Sequence, residues 1–140
     1  MIQFIMLRYR IFLIAVLFLS SCAKDLEQGD PNTIPGDLTV VLQGSFTNGA
    51  HATSGIVKLS KDAAGKRYLV FENFKTDSGP DIRIWAAEDK DAKNYTELAK
   101  TVQLGNYKID VPSDYDAIKK PHILIWCKAF SVLFGGAQLK

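Results

Sequence analysis

With 140 residues, the chain is long enough for one domain and too short for two. Its 17 basic and 15 acidic residues nearly cancel, which argues against the basic excess of a nucleic-acid binder. Two cysteines, Cys22 and Cys127, allow at most one disulfide.

The first 21 residues differ from the rest. Arg8 and Arg10 form a positive start, and an apolar run from Ile11 to Leu19 follows. That run is far shorter than the roughly 20 residues of a membrane-spanning helix. A basic start, a short apolar core and small residues at a cut point describe a secretory signal over residues 1–21. Leu19-Ser20-Ser21-Cys22 closes it and resembles the lipobox of bacterial lipoproteins, with Cys22 at the modified position. The resemblance implies cleavage before Cys22, a diacylglyceryl group on its sulfur and a further acyl chain on its amine. Each buried methylene contributes about 0.8 kcal/mol, and stable anchoring takes more than one chain. The plainer alternative is an ordinary signal peptide with a chance cysteine. Removing Arg8 and Arg10 leaves 15 basic residues against 15 acidic ones. Ala23 follows the cysteine, so the aspartate that retains lipoproteins at the inner membrane is missing. The expected location is the bacterial cell envelope, at the outer membrane.

Residues 22–36 are polar, with two prolines and two glycines, and read as a lipidated tether. From residue 37 to 140 the pattern changes to short apolar runs between turn residues. Strands are expected at Leu38–Gln43, stopped by Gly44, and at Gly55–Leu59, with Ile56 facing away from Val57 and Leu59. Further strands are expected at Arg67–Phe71, Ile82–Ala86, Tyr107–Val111 and Ile123–Cys127. Tyr95–Lys100 reads as a short strand or turn. Ser131–Phe134 leads into Gly135-Gly136, and Ala137-Gln138-Leu139 closes the chain. No window beyond the signal carries an apolar stripe of helical period. The spacing predicts an all-β fold, a small antiparallel β-sandwich or barrel-like single domain.

Several separated blocks have a familiar order. They are Gly44–Gly55, Arg67–Thr76, Gly79-Pro80-Asp81, Tyr107–Pro112 and Ile125–Gly135. Together they resemble the DM-thirteen domain family, the electron-transfer DM domain, over residues 37–140. The resemblance implies an extracytoplasmic all-β module whose characteristic cysteine corresponds to Cys127. In other architectures the family accompanies DOMON domains and b-type transmembrane cytochromes. A redox role follows from that association, and family alone does not fix function.

Cys127 therefore has two readings. It could cycle with a disulfide, ligate a metal or be oxidised, which requires a reachable thiolate. Alternation along the strand instead places it with Ile123 and Ile125, as a small buried apolar residue. Trp126 beside it is expected to shield the thiol, and Trp85 and Trp126 read as packing residues rather than a stacking platform. With Cys22 modified, a lone Cys127 cannot close a disulfide. A redox role would then need a partner thiol, or a haem or metal supplied by a redox protein partner. No cofactor is evident in the chain itself. His51, His122 and Cys127 are weak metal candidates, because no histidine follows the cysteine on a closing loop as in copper sandwiches. Haem-attachment, nucleophile-elbow, Walker and dinucleotide motifs are missing. Asp77, Asp81, Asp110, Asp114 and Asp116 lack the spacing of a calcium loop and suit turns. Glu72 and Asp81 could pose as paired carboxylates only if the fold brought them together.

The sequence thus predicts a lipid-anchored extracytoplasmic module, an accessory in electron transfer or redox through Cys127, without stand-alone turnover. The rival class is a non-catalytic adhesion, ligand-binding or structural surface domain with Cys127 as core. The expected partners are membrane lipid, through Cys22, and a redox protein, with no nucleic acid.

Overall fold

The computed structural model describes Ile34 and residues 36–140. The signal segment, Cys22 and nearly all of the tether lie outside the described residues. The fold is an antiparallel β-sandwich, all strand and turn.

Nine strands follow in order: β1 (Thr39–Ser45), β2 (Thr47–Asn48), β3 (Thr53–Lys61), β4 (Arg67–Thr76), β5 (Ile82–Ala87), β6 (Thr96–Ala99), β7 (Gly105–Asp110), β8 (His122–Cys127) and β9 (Val132–Gln138). They form a first sheet in the order β1-β3-β4-β7 and a second in the order β2-β9-β8-β5-β6. All neighbouring pairs are antiparallel. Period-two alternation sets the faces. Val57 and Leu59 are buried while Ile56 is exposed, as the sequence pattern requires.

The centre of the sandwich is aromatic. Phe71 stacks on Tyr107 with ring centroids 4.5 Å apart, and Phe46 meets Phe74 edge-on at 4.8 Å. Phe71 and Phe74 are three apart, so a regular strand would send them to opposite faces. A bulge between them, with Asn73 at φ 48°, turns both inward. Gly55 lies opposite at φ 113°, where an added Cβ would stand 2.7 Å from the Phe74 Cα. Only a residue without a side chain fits that approach.

The two sheets are stitched along one side. The chain leaves the first sheet at Ser45, buries Phe46 and joins the second sheet as β2. Thr47 and Asn48 then pair with Gly136 and Gly135 of β9. Gln43 and Lys140 exchange backbone hydrogen bonds of 3.1 and 3.0 Å across the same side. These contacts correct one expectation and add what the sequence did not show. Gly44 does not stop β1, which runs on to Ser45. Gly135-Gly136 lies inside β9, where β2 packs against it. The two-residue β2 carries no hydrophobic pattern and has no counterpart in the sequence reading.

A second apolar cluster covers the outer face of the second sheet. Trp85, Ala87 and Leu124 are its buried members, with Ala92, Trp126 and Leu133 against them. The 88–95 loop folds back over this face. Asp89 Oδ1 accepts from the amides of Asp91 and Lys93, and Asn94 Nδ2 donates to Glu88 at 2.7 Å. Ala92 and Asn94 adopt positive φ to close it.

A Cβ at Gly135 would stand 2.4 Å from the Thr53 Cβ and 2.7 Å from the Thr47 carbonyl oxygen. Gly135→Ala is therefore expected to destabilise the fold by about 1–3 kcal/mol, seen as a lower urea midpoint. An unchanged midpoint would show that the seat of β2 does not hold the sheets together.

Candidate functional site

Strand β8 carries the residues of greatest chemical interest, and its two faces differ. Ile123, Ile125 and Cys127 point into the core. Leu124 and Trp126 belong to the outer cluster. Cys127 is the last residue of the strand, opposite Ile82 on β5 and Val132 on β9. It is 0% exposed, and both cross-strand neighbours pack against the main core. A reactive cysteine needs access and nearby positive charge. Here the flanking residues are aliphatic.

The charged side chain paired across β5 and β8 lies on the other side of the sheet. Arg83 is in register with Trp126, not with Cys127. Its Nε donates to Asp81, and its Nη1 reaches Glu97 at 3.4 Å. The Lys128 side chain is exposed, and its amide donates to the Asp81 carbonyl at 2.8 Å. Trp126 was expected to shield the thiol. The alternation that buries Cys127 turns Trp126 outward, so it shields nothing on the core face.

The two histidines sit on different elements, each with its own partners. His51 follows β2, where its ring stacks on Phe134 at 3.8 Å. Its Nδ1 lies 3.1 Å from Asp77 Oδ2. His122 begins β8, paired with Ala87 and Gln138, while Cys127 ends the same strand. Among the described residues no three His, Cys, Asp or Glu side chains come together to hold a metal ion.

Four of the aspartates singled out in the sequence are engaged one by one. Asp77 meets His51, Asp81 meets Arg83, and Asp110 meets Lys66 at 2.7 Å. Asp116 caps its own turn, accepting from the amides of Ile118 and Lys119 at 3.0 and 3.2 Å. Glu72 pairs with Lys58 at 2.7 Å, so Glu72 and Asp81 each have a basic partner of their own. Hydrogen bonding from Arg83 holds the Asp81 carboxyl below the usual carboxylate range, aided by Lys128. The Asn94 amide and then Lys93 do the same for Glu88. Backbone amides of Lys119 and Ile118 do so for Asp116. Burial pushes the Tyr107 hydroxyl well above its ordinary value.

The outer face holds what the sequence reading undervalued. Tyr95 stacks on Trp85 at 3.8 Å, and Trp85 stacks on Trp126 at 5.2 Å. Trp85 Nε1 donates to Glu97 at 3.4 Å. Beside Trp126 a groove of about 460 Å³ runs between β2 and the 88–95 loop. Outward alternation of Trp126 with Leu124 was the available signal. The loop that walls the groove has no such pattern.

A family model described as Electron transfer DM13 matches residues 45–139. No curated protein and no solved structure matches the chain.

Two measurements follow from this geometry. The Cys127 thiol of the folded protein should resist a thiol reagent until denaturant is added, and Cys127→Ala should cost about 1–3 kcal/mol. Fast labelling under native conditions would show that the core end opens. The folded pKa values of Asp81, Glu88 and Asp116 lie below their ordinary ones. Their stabilisation is therefore full above the unfolded carboxylate range and is lost as pH falls below about 4. A urea midpoint that did not drop on acidification would contradict these pairings.

Proposed function

Because the chain belongs to the electron transfer DM13 family, we propose that it is a lipid-anchored, extracytoplasmic accessory of electron transfer that works against a redox protein partner. The observation that carries this reading is the family match over residues 45–139, nearly all of the folded domain. The lipobox-like Leu19-Ser20-Ser21-Cys22 supports the anchor, and Ala23 after it supports the outer membrane. Electrons would be supplied and accepted by the partner's haem or metal. The chain contributes a rigid, charge-balanced surface beside that group rather than turnover of its own.

The thiol divides this proposal in two. Electron transfer through Cys127 needs a route past Ile82 and Val132, and a second sulfur, metal or haem beyond them. The complete burial of Cys127 among aliphatic neighbours favours the second reading, in which its sulfur fills the core. The domain then meets its partner through its surface.

Radiolabelled palmitate should enter the wild-type protein and not Cys22→Ala, and the wild type should sediment with the outer membrane. Label retained in the variant, or an inner-membrane location, would refute the anchor. Deleting the protein should slow reduction of membrane b-type cytochromes, followed by difference spectroscopy. Complementation with Cys127→Ala should restore the rate if the sulfur is core. Unchanged cytochrome reduction in the deletion would sink the electron-transfer reading.

A further inference from the structure

The groove on the outer face is a built concavity, and its chemistry is specific. Its volume of about 460 Å³ lies within the range of about 300–1,000 Å³ typical of small-molecule sites. Trp126 contributes to its floor, half-buried, with Trp85 stacked against it. Gly136 lines the floor beside it. Gly136 pairs with Leu124, whose side chain is on the outer face, so any side chain at 136 would project outward toward the groove. Its absence leaves the floor open.

The walls are polar and of mixed sign. Asn48 Oδ1 accepts from the Thr53 amide at 2.9 Å, which ties its side chain back toward β3 and holds the wall in place. Thr47 Oγ1 donates to the Gly136 carbonyl at 3.2 Å and can still accept. On the opposite wall Lys90 and Asp91 are both exposed. Their backbone is held by Asp89 Oδ1, which accepts from the Asp91 amide at 3.0 Å.

We infer that this groove binds a neutral saccharide, with one sugar ring laid on the Trp126 indole. A pyranose ring has an apolar C–H face that suits an aromatic surface. Its hydroxyls both donate and accept, which matches a lining that offers the Thr47 hydroxyl, the Lys90 ammonium and the Asp91 carboxylate. A phosphate-bearing ligand would need an excess of basic groups, and here one lysine is cancelled by one aspartate. A wholly apolar ligand would strip water from the polar walls without replacing their hydrogen bonds. This inference goes beyond electron transfer and does not depend on it.

The test uses the full-length protein in a detergent without a sugar headgroup. Cellohexaose, chitohexaose, maltohexaose and mannohexaose are titrated by calorimetry and tryptophan emission, with sodium phosphate and adenosine monophosphate as controls. At least one hexasaccharide should bind with a Kd of about 1 mM or tighter and shift the emission. Asp91→Ala, at an exposed position, should weaken binding about tenfold. Trp126→Ala should abolish it, and Trp126→Phe should retain part, with near-UV circular dichroism confirming the fold of each. Silence from all four sugars at about 10 mM, binding unmoved by Asp91→Ala and Trp126→Ala, or preferential binding of the controls would overturn the inference.

Discussion

The structure depends on the passage of one strand from sheet to sheet. At Phe46 the chain leaves the first sheet, drops an aromatic ring into the core and emerges in the second. The ring meets both Phe71 and Phe74, so the crossing is fixed by the same aromatic group that fixes the interior. The emerging backbone then packs on Gly135, where no larger residue fits. Hydrogen bonds from Gly49 and Ala50 to the Phe134 and Leu133 carbonyls extend the seam. Everything placed on that seam inherits its rigidity. His51 is pressed onto Phe134 at one end, and Thr47 and Asn48 form one wall of the outer groove.

A single strand then sorts the chemistry. Because side chains alternate, β8 commits Cys127 to the core and Trp126 to the outer face. The two cannot exchange places without a register slip, and such a slip would expose Ile123 and Ile125 together. Burial of those two isoleucines therefore decides the thiol's surroundings more firmly than any group near the sulfur. The same commitment puts the indole beside Trp85 and at the mouth of the groove. The chemically interesting surface of this strand is aromatic, and its sulfur is interior.

Much of this was legible in the amino-acid pattern. The alternation around Val57, Leu59 and Ile123–Cys127 gives the strands and their faces directly, since period two is a local property. The DM13 blocks spanned the sheets for the same reason. What was not legible depends on distant parts of the chain. Nothing in Thr47-Asn48 marks a strand, because β2 exists only where β9 offers two glycines. Gly44 reads as a break, yet there, as at Gly135, the missing side chain admits neighbouring backbone. The inward turn of Phe74 needs a bulge at Asn73, which alternation alone misplaces. The groove was invisible because one wall is a loop whose shape rests on Asp89 and Asn94 rather than on apolar spacing.

The placement of charge leads to a last step. Arg83 links Asp81 to Glu97, and Glu97 accepts from Trp85, whose ring lies between Tyr95 and Trp126. The ionic network and the aromatic row are thus one unit on the outer face, each orienting the other. Arg83 and Glu97 are partly shielded, so their attraction is screened less than that of a free surface pair. A partner or ligand approaching that face meets rings already held in position and loses little freedom in ordering them. The opposite sheet has no such row. Its exposed aliphatics, Val40 and Val41 near the start of β1 and Ile56 on β3, are scattered and of the kind any small domain shows. Recognition in this protein is therefore best sought on the outer face of the second sheet, whether the visitor is a redox protein or a sugar.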